Sequence, residues 1–371
     1  MGEGGKPRSP KLLAFATQGA GGDDEARLRM LLSGFDDVTW FPFERGSKGG
    51  SFRKLRRTIA QERPDLIVME GTGIAGGLAL LLGRLRGIPY VFSSGDAIGP
   101  FVAAIRPLFG PAFAAYERLL CRCADGFIGW SPYLVGRALT FGCRRGMTAP
   151  GWASTSLPEA DRAAARSEVR RALAIPQDAV VFGIVGSLAW NRRVGYCYGL
   201  ELVRAVQRVN RDDVYVMVVG DGSGLSILQS TAEQGRADRC RLIGRVPRLE
   251  VPRYLAAFDV ASLPQSLDGV GSFRYTTKIS EYLDAGLPIV TGRLPLAYDL
   301  DDGRLLRLAG KAPWDDRYVA SLADLMESYS VESLAGGSAN GPRNQLEFNR
   351  DRQVARTTAF LSDILADRNS P

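Results

Sequence analysis

Short apolar runs alternate with helix-forming segments along most of this chain, and they do so in two separate series. In the first, Lys11–Thr17, Asp65–Glu70, Ile88–Phe92 and Ala124–Trp130 read as strands. In the second, Ala179–Val185, Val214–Val219, Arg241–Arg245, Asp259–Pro264 and Leu287–Thr291 do. Strands this apolar suit parallel sheets buried on both faces, and the intervening helical stretches supply the crossovers. Thr148–Pro158, rich in small residues and proline, separates the series. The pattern predicts two doubly wound α/β domains, with ligand in a cleft beyond the carboxyl ends of the strands. The expected divisions are residues 1–150, 151–340 and 341–371, with Ser338–Pro342 as loop and Asn344–Arg368 as a closing amphipathic helix.

The most informative stretch is Leu263–Thr291. It reads as a strand end, a polar loop with Gly269, Gly271 and Ser272, a helix starting near Thr277, and a further strand. Ile279, Tyr282 and Leu283 give the helix an apolar side, and Gly286 and Pro288 end it. Lys278 falls in the first turn, where the helix dipole disfavours a cation by about 0.3–1 kcal/mol at an exposed site. A phosphate bound there would reverse that sign, since free N–H groups and a lysine would converge on one anion. Glu281 is placed to accept hydrogen bonds from a sugar diol. A solvated Lys and Glu on a surface helix fit the spacing equally well.

The run Thr277-Lys-Ile-Ser-Glu-Tyr-Leu-Asp-Ala-Gly-Leu-Pro-Ile-Val290 resembles the donor-site signature of glycosyltransferase family 4, nucleotide-sugar enzymes of the GT-B fold. The resemblance implies two Rossmann-like domains facing each other across a cleft, with the C-terminal helix packing back on the first. It implies transfer of a sugar from a nucleoside diphosphate to an acceptor hydroxyl with retention, in glycan or glycolipid assembly, without metal or other cofactor. It places Glu281 on the ribose. Phe273 stands where many members carry a second Glu, eight positions earlier. Gly186 and Ser187 begin a loop that in the family carries a basic pair for the diphosphate; here Ser187 replaces the usual Arg, and the role moves to Arg192, with Arg193 second. Lys278 would share it, and Ser272, Phe273, Arg274, Tyr275 and Thr276 would line the donor. On the acceptor side, Gly21 and Gly22 belong to the loop after the first strand. Asp96 stands where a His-Asp pair is common.

The chain has no histidine, which excludes His-dependent nucleophile schemes, His general bases and His-based zinc sites. The chemistry implied by the resemblance needs none. Five cysteines at scattered spacings suggest reduced thiols, and the N-terminus lacks an apolar signal core, so a cytoplasmic protein is expected. Asp299-Leu-Asp301-Asp302 reads as a turn in preference to a metal site. The formal net charge of +7 suits an anionic ligand or surface. The basic cluster Ser47–Ile59 reads as a solvated helix face, or as a contact for anionic lipid on the inner membrane face; no nucleic-acid motif accompanies it. Ile98–Tyr116, with one charge and three prolines, reads as a buried helix pair, or as an apolar rim lying on a bilayer.

Two other functions remain open. Gly71-Thr-Gly73-Ile-Ala-Gly76 follows a strand as a G-x-G-x-x-G and would serve an NAD(P)-dependent oxidoreductase. It is not at the first strand, and no acidic residue ends the next one, so close helix–sheet packing is the expected reason for these glycines. A non-catalytic carbohydrate-binding protein of the same fold is the other alternative.

Overall fold

A computed structural model describes residues 9–330 and 346–368; the Ser338–Pro342 loop and the first residues of the expected closing helix lie outside that range. The first series gives β1 (Leu12–Ala16), α1 (Asp23–Leu31), β2 (Val38–Trp40), α2 (Lys48–Glu62), β3 (Leu66–Glu70), α3 (Ile74–Arg84), β4 (Tyr90–Ser94), α4 (Ile98–Ile105), α5 (Gly110–Cys123), β5 (Gly126–Gly129), α6 (Pro132–Thr140) and β6 (Gly146–Thr148). The second gives α7 (Glu159–Ala172), β7 (Val180–Val185), α8 (Leu200–Val206), β8 (Val214–Val219), α9 (Leu225–Glu233), β9 (Cys240–Gly244), α10 (Val251–Ala256), β10 (Val260–Ser262), α11 (Thr277–Asp284), β11 (Ile289–Gly292), α12 (Leu296–Asp299), β12 (Leu305–Leu308) and α13 (Asp316–Ser328). The chain then closes with α14 (Arg350–Arg368).

Each series builds a six-stranded parallel sheet, ordered β2-β1-β3-β4-β5-β6 and β12-β11-β10-β7-β8-β9. The two sheets form two Rossmann-like halves. The contacts divide the chain into two units. One runs to Gly151 and includes Phe273–Tyr275 and the chain from Glu347 on; the other holds Trp152–Ser272 and Thr276–Leu346.

In the first unit, alternate side chains of the strands sort the helices onto two faces. Leu13, Phe15, Ile67, Met69, Tyr90, Phe92 and Phe127 pack under α2, α3, α5 and α6. The opposite face carries α1 and α14, with Phe360 and Ile364 against Gly126. The Gly71–Gly76 glycines let α3 approach the sheet. A Cβ at Gly73 would lie 2.9 Å from Thr17 Cβ, and one at Gly76 would meet Thr17, Met69 and Phe15 at 2.7–2.9 Å. Packing thus accounts for the dinucleotide-like motif.

One expectation fails here. Ile98–Tyr116 does form a helix pair, but the pair is not buried: α4 buries only Ile98 and Gly99, while Ile105, Leu108 and Phe109 at the turn are exposed. Apolar composition was read as core, whereas burial requires a partner surface, and none covers this turn among the described residues. β4 also begins two residues later than expected.

In the second unit, α7 is fastened to the sheet by Arg170, whose side chain is fully buried. Its guanidinium donates to the carbonyls of Ala257, Gln177 and Ala179 and pairs with Asp259 at 2.6 Å. Asp259 also accepts from Val181 N at 2.7 Å and from Arg166 at 2.6 Å.

No helix among the described residues is long and apolar enough to cross a membrane. Asp301 and Asp302, in the expected turn, are paired with Arg307 and Arg304. The five cysteines are unpaired, and burial pushes the Cys143, Cys197 and Cys240 thiols up to about 11, which keeps them protonated and unreactive at neutral pH.

Candidate active site

The carboxyl ends of β7 and β8 meet the amino end of α11. Gly186 follows β7 with φ +152°, and Gly220 follows β8 with φ +149°. A Cβ on Gly220 would lie 1.8 Å from the Gly186 carbonyl oxygen, so the two loops come this close only because Gly220 has no side chain. Gly186 N–H donates to Val219 O, and Leu188 N–H to Asp221 O.

Lys278 lies against this junction. A Cβ on Gly186 would stand 2.4 Å from Lys278 Cε and 2.8 Å from Nζ. The ammonium sits 4.1 Å from the centre of the Tyr198 ring, a cation–π contact. Lys278 has no carboxylate partner among the described residues. Tyr198 was not foreseen from sequence. It is positioned by Gln265, which donates to its hydroxyl at 3.3 Å, and by the neighbouring Tyr196–Glu201 pair. Glu201 is fully buried and accepts from Tyr196 Oη, Gly199 N and Ser262 Oγ at 2.8–3.0 Å; burial raises its pKa. The only sequence signal for Glu201 was a single carboxylate in the apolar run Leu200–Val206.

Helix α11 starts at Thr277, as expected, with Thr276 as its N-cap residue. Thr276 makes no capping hydrogen bond with its side chain, and its buried Oγ1 has no partner. A buried hydroxyl and open first-turn amides are costly without an acceptor, and an anion supplies one.

Glu281 is half-buried one turn further on; its carbonyl accepts from Ala285 N–H, and its carboxylate accepts no hydrogen bond among the described residues. It lines a small cavity with Thr155, Leu157, Arg162, Pro252 and Leu255. Burial raises its pKa, opposed by the charges of Lys278 and Arg248. Ionising Glu281 therefore destabilises the unliganded protein, increasingly so as pH climbs from the ordinary carboxylate range through the raised value. Glu281→Gln is expected to raise the thermal midpoint of the ligand-free protein at neutral pH, with the gain fading toward acid. Thermal unfolding across about pH 4–8 checks this; a lowered midpoint at neutral pH would refute it.

Arg192 and Arg193 are exposed in a turn closed by an Asn191–Tyr196 bridge. Ser187 is exposed too. The loop continues without helix until α8 begins at Leu200. Ser272 is half-buried, its N–H on Asp268 O, in a loop whose Asp268 carboxylate takes the Val270 and Gly271 amides.

Phe273, Arg274 and Tyr275 direct their side chains into the first unit. Phe273 packs on the hydrophobic core under α6, with Arg137 over its ring at 5.3 Å, and its carbonyl accepts from Ser131 Oγ. Arg274 pairs with Asp96, and Tyr275 stands edge-on to Tyr133. In the same unit Gly21 N–H donates to Glu25 at 2.7 Å, and Gly22 is the N-cap residue of α1. Burial raises the pKa of Asp24, Arg27 opposes it, and Asp23 and Asp96 add to it. Deeper in, Arg27 pairs with buried Glu70 at 2.5 Å and also donates to Ala149 O, beneath Trp130.

Residues 13–150 match the glycosyl transferase 4-like domain, and residues 179–327 match the glycosyl transferases group 1 domain. The chain belongs to the family-4-like glycosyltransferases. Among curated relatives of this glycosyltransferase is 2-deoxystreptamine glucosyltransferase of Streptomyces kanamyceticus, 28% identical over 252 residues. That alignment spans 62% of this chain and 63% of the relative. The fold is shared with a UDP-forming α,α-trehalose-phosphate synthase from Burkholderia xenovorans, with a TM-score of 0.62 and 12% identity over 98% of this chain and 100% of that one. It is also shared with the lipopolysaccharide outer core galactosyltransferase WaaB, with a TM-score of 0.57 and 14% identity over 94% and 99%.

Proposed function

We propose that this glycosyltransferase moves a hexosyl group from a nucleoside-diphosphate sugar to an acceptor hydroxyl. The observation that carries the reading is the state of one helix end. Among the described residues, Thr276 Oγ1 and the Glu281 carboxylate have no hydrogen-bond partner, and the Lys278 ammonium meets the Tyr198 ring but no anion. Phosphate oxygens suit the hydroxyl and the ammonium, and ribose hydroxyls suit the carboxylate.

As the glycosidic bond breaks, charge builds on the departing diphosphate, and preorganised donors stabilise it. Lys278, the first amides of α11 and the Gly186–Ser187 backbone are the fixed donors in this proposal. Arg192, with Arg193 second, is the mobile one, and its planar fork suits paired bonds to phosphate. These cations neutralise the diphosphate without a metal. The leaving phosphate takes the acceptor proton, and the anomeric configuration is retained. Ser272 and Thr276 border the donor. Phe273, Arg274 and Tyr275 contribute backbone, their side chains being engaged in the first unit. Asp96, Gly21 and Gly22 take the acceptor-side role, with a glycan or lipid-linked acceptor. The glucosyltransferase named among the relatives supports a hexose as the transferred group.

Thermal shift against UDP, GDP, ADP, TDP and NAD tests the reading. Stabilisation by one nucleoside diphosphate, weakened in Arg192→Ala and Glu281→Ala, is expected. A response to NAD alone would reverse the assignment.

A further inference from the structure

The helices α2, α3 and α5 lie side by side on one face of the first sheet, since Leu55, Ile59, Ala79, Leu80, Leu120 and Cys121 enter the same core. Their outer sides therefore form one continuous face. The middle helix, α3, turns an aliphatic stripe outward: Ile74, Leu78, Leu82 and, just past its end, Leu85, which is 83% exposed. These positions recur at helical spacing on the side opposite the buried Gly76, Ala79, Leu80 and Gly83. Gly77 on the flank of α3 meets Tyr116 of α5, so the stripe runs beside the α4–α5 hairpin. There Ile105, Leu108 and Phe109 are exposed, Leu108 to 94%, and Leu119 continues the apolar surface along α5. A field of this kind on a polar-surfaced unit marks an interaction site.

The exposed charges around it are mainly basic, and the carboxylates of Glu62 at the end of α2 and Glu44 before its start are paired with Lys11 and Lys54. On α2, Arg53 and Arg57 lie opposite the buried Leu55 and Ile59 and so face outward, with Arg56 beside them. Arg86, Arg106, Arg118 and Arg122 are exposed on or next to the apolar helices. The acidic residues between Arg63 and Asp125 are Asp65, Glu70, Asp96 and Glu117, and none of them is exposed. Glu117 is taken up by Arg137, and Asp96 by Arg274.

We propose that this face docks the protein on an anionic lipid surface, the α4–α5 turn and the α3 stripe entering the headgroup–acyl boundary while the α2 arginines meet lipid phosphates. Aliphatic side chains ringed by arginine, with the nearby carboxylates of Glu44 and Glu62 held by lysines, match that occupant in both polarity and charge. Lipid docking does not depend on the sugar-transfer reading, because none of these residues belongs to the donor site.

Co-sedimentation with vesicles tests it, using equal parts phosphatidylglycerol and phosphatidylcholine against phosphatidylcholine alone. The full chain is expected to pellet with the anionic vesicles at low salt and to be released at high salt. Leu108→Asp with Phe109→Asp, and separately Arg53→Glu with Arg57→Glu, should each weaken binding by about tenfold or more. The nucleotide-induced thermal shift should stay at its wild-type value, which also reports that these surface variants fold. The proposal is overturned if the wild type remains in the supernatant at low salt, or if both double variants pellet as the wild type does. It is equally overturned if the face proves to be a dimer contact, with the wild type dimeric, the Leu108 variant monomeric and neither on vesicles.

Discussion

Lys278→Ala is expected to lower kcat/KM for sugar transfer by about 10²–10³-fold, the usual cost of removing one preorganised donor to a developing oxyanion. The ammonium is held in place before any ligand arrives, between the Gly186 backbone and the Tyr198 ring. In the proposed role, stabilising a leaving diphosphate would therefore need little reorganisation. A cation in the first turn of a helix works against the dipole by about 0.3–1 kcal/mol, which offsets the lost contact with the Tyr198 ring, so the same substitution should leave the stability of the ligand-free protein nearly unchanged. A large loss of activity without a loss of stability separates a ligand-directed lysine from a structural one. Steady-state kinetics together with thermal unfolding of the ligand-free protein check it. A variant with unchanged kcat/KM, or one that loses activity only because it unfolds, would remove Lys278 from the mechanism.

Arg170→Leu is expected to destabilise the second unit by about 3–5 kcal/mol, the range for removing one partner of a buried ion pair. Three carbonyls, those of Ala257, Gln177 and Ala179, lose their donor in a site from which water is excluded. Asp259 keeps Arg166 and the Val181 amide but loses its fully buried cation. Adding Asp259→Leu should restore only part of the loss, because the carbonyls stay unsatisfied and Val181 N–H then joins them. Denaturant midpoints of the single and double variants measure this. A loss under about 1 kcal/mol for Arg170→Leu would show that solvent replaces the guanidinium freely.

The lysine and the arginine differ in how visible they were in the sequence. Lys278 and Glu281 were legible because they sit on one short amphipathic helix, bounded by Gly286 and Pro288, whose spacing alone sets them on the same end. Arg170 stood in a charged helix among other arginines, and nothing local separates the one that is buried. Its partners Ala257 and Asp259 are nearly ninety residues away. The same limit applies to Tyr198, which meets Lys278 only because β7 and α11 converge, and to Glu201.

The sequence by itself determined two α/β series and nine of the twelve strands, while the short edge strands β2, β6 and β12 were not read from it. Uninterrupted apolar strands buried on both faces leave few alternatives, and period and turn residues act over a few positions. Close helix–sheet packing at Gly73 and Gly76 was also expected from the sequence, although that Thr17 is the residue approached came only from the tertiary structure. Tertiary structure alone decided burial and partnership. It left the Ile98–Tyr116 helices exposed although their composition suits a core. It sent the side chains of Phe273, Arg274 and Tyr275 into the first unit although their neighbours in sequence belong to the second. It also left Thr276 Oγ1 without a partner although threonine is a good cap. Each outcome depends on which distant surface arrives to cover a residue, and no local spacing carries that information.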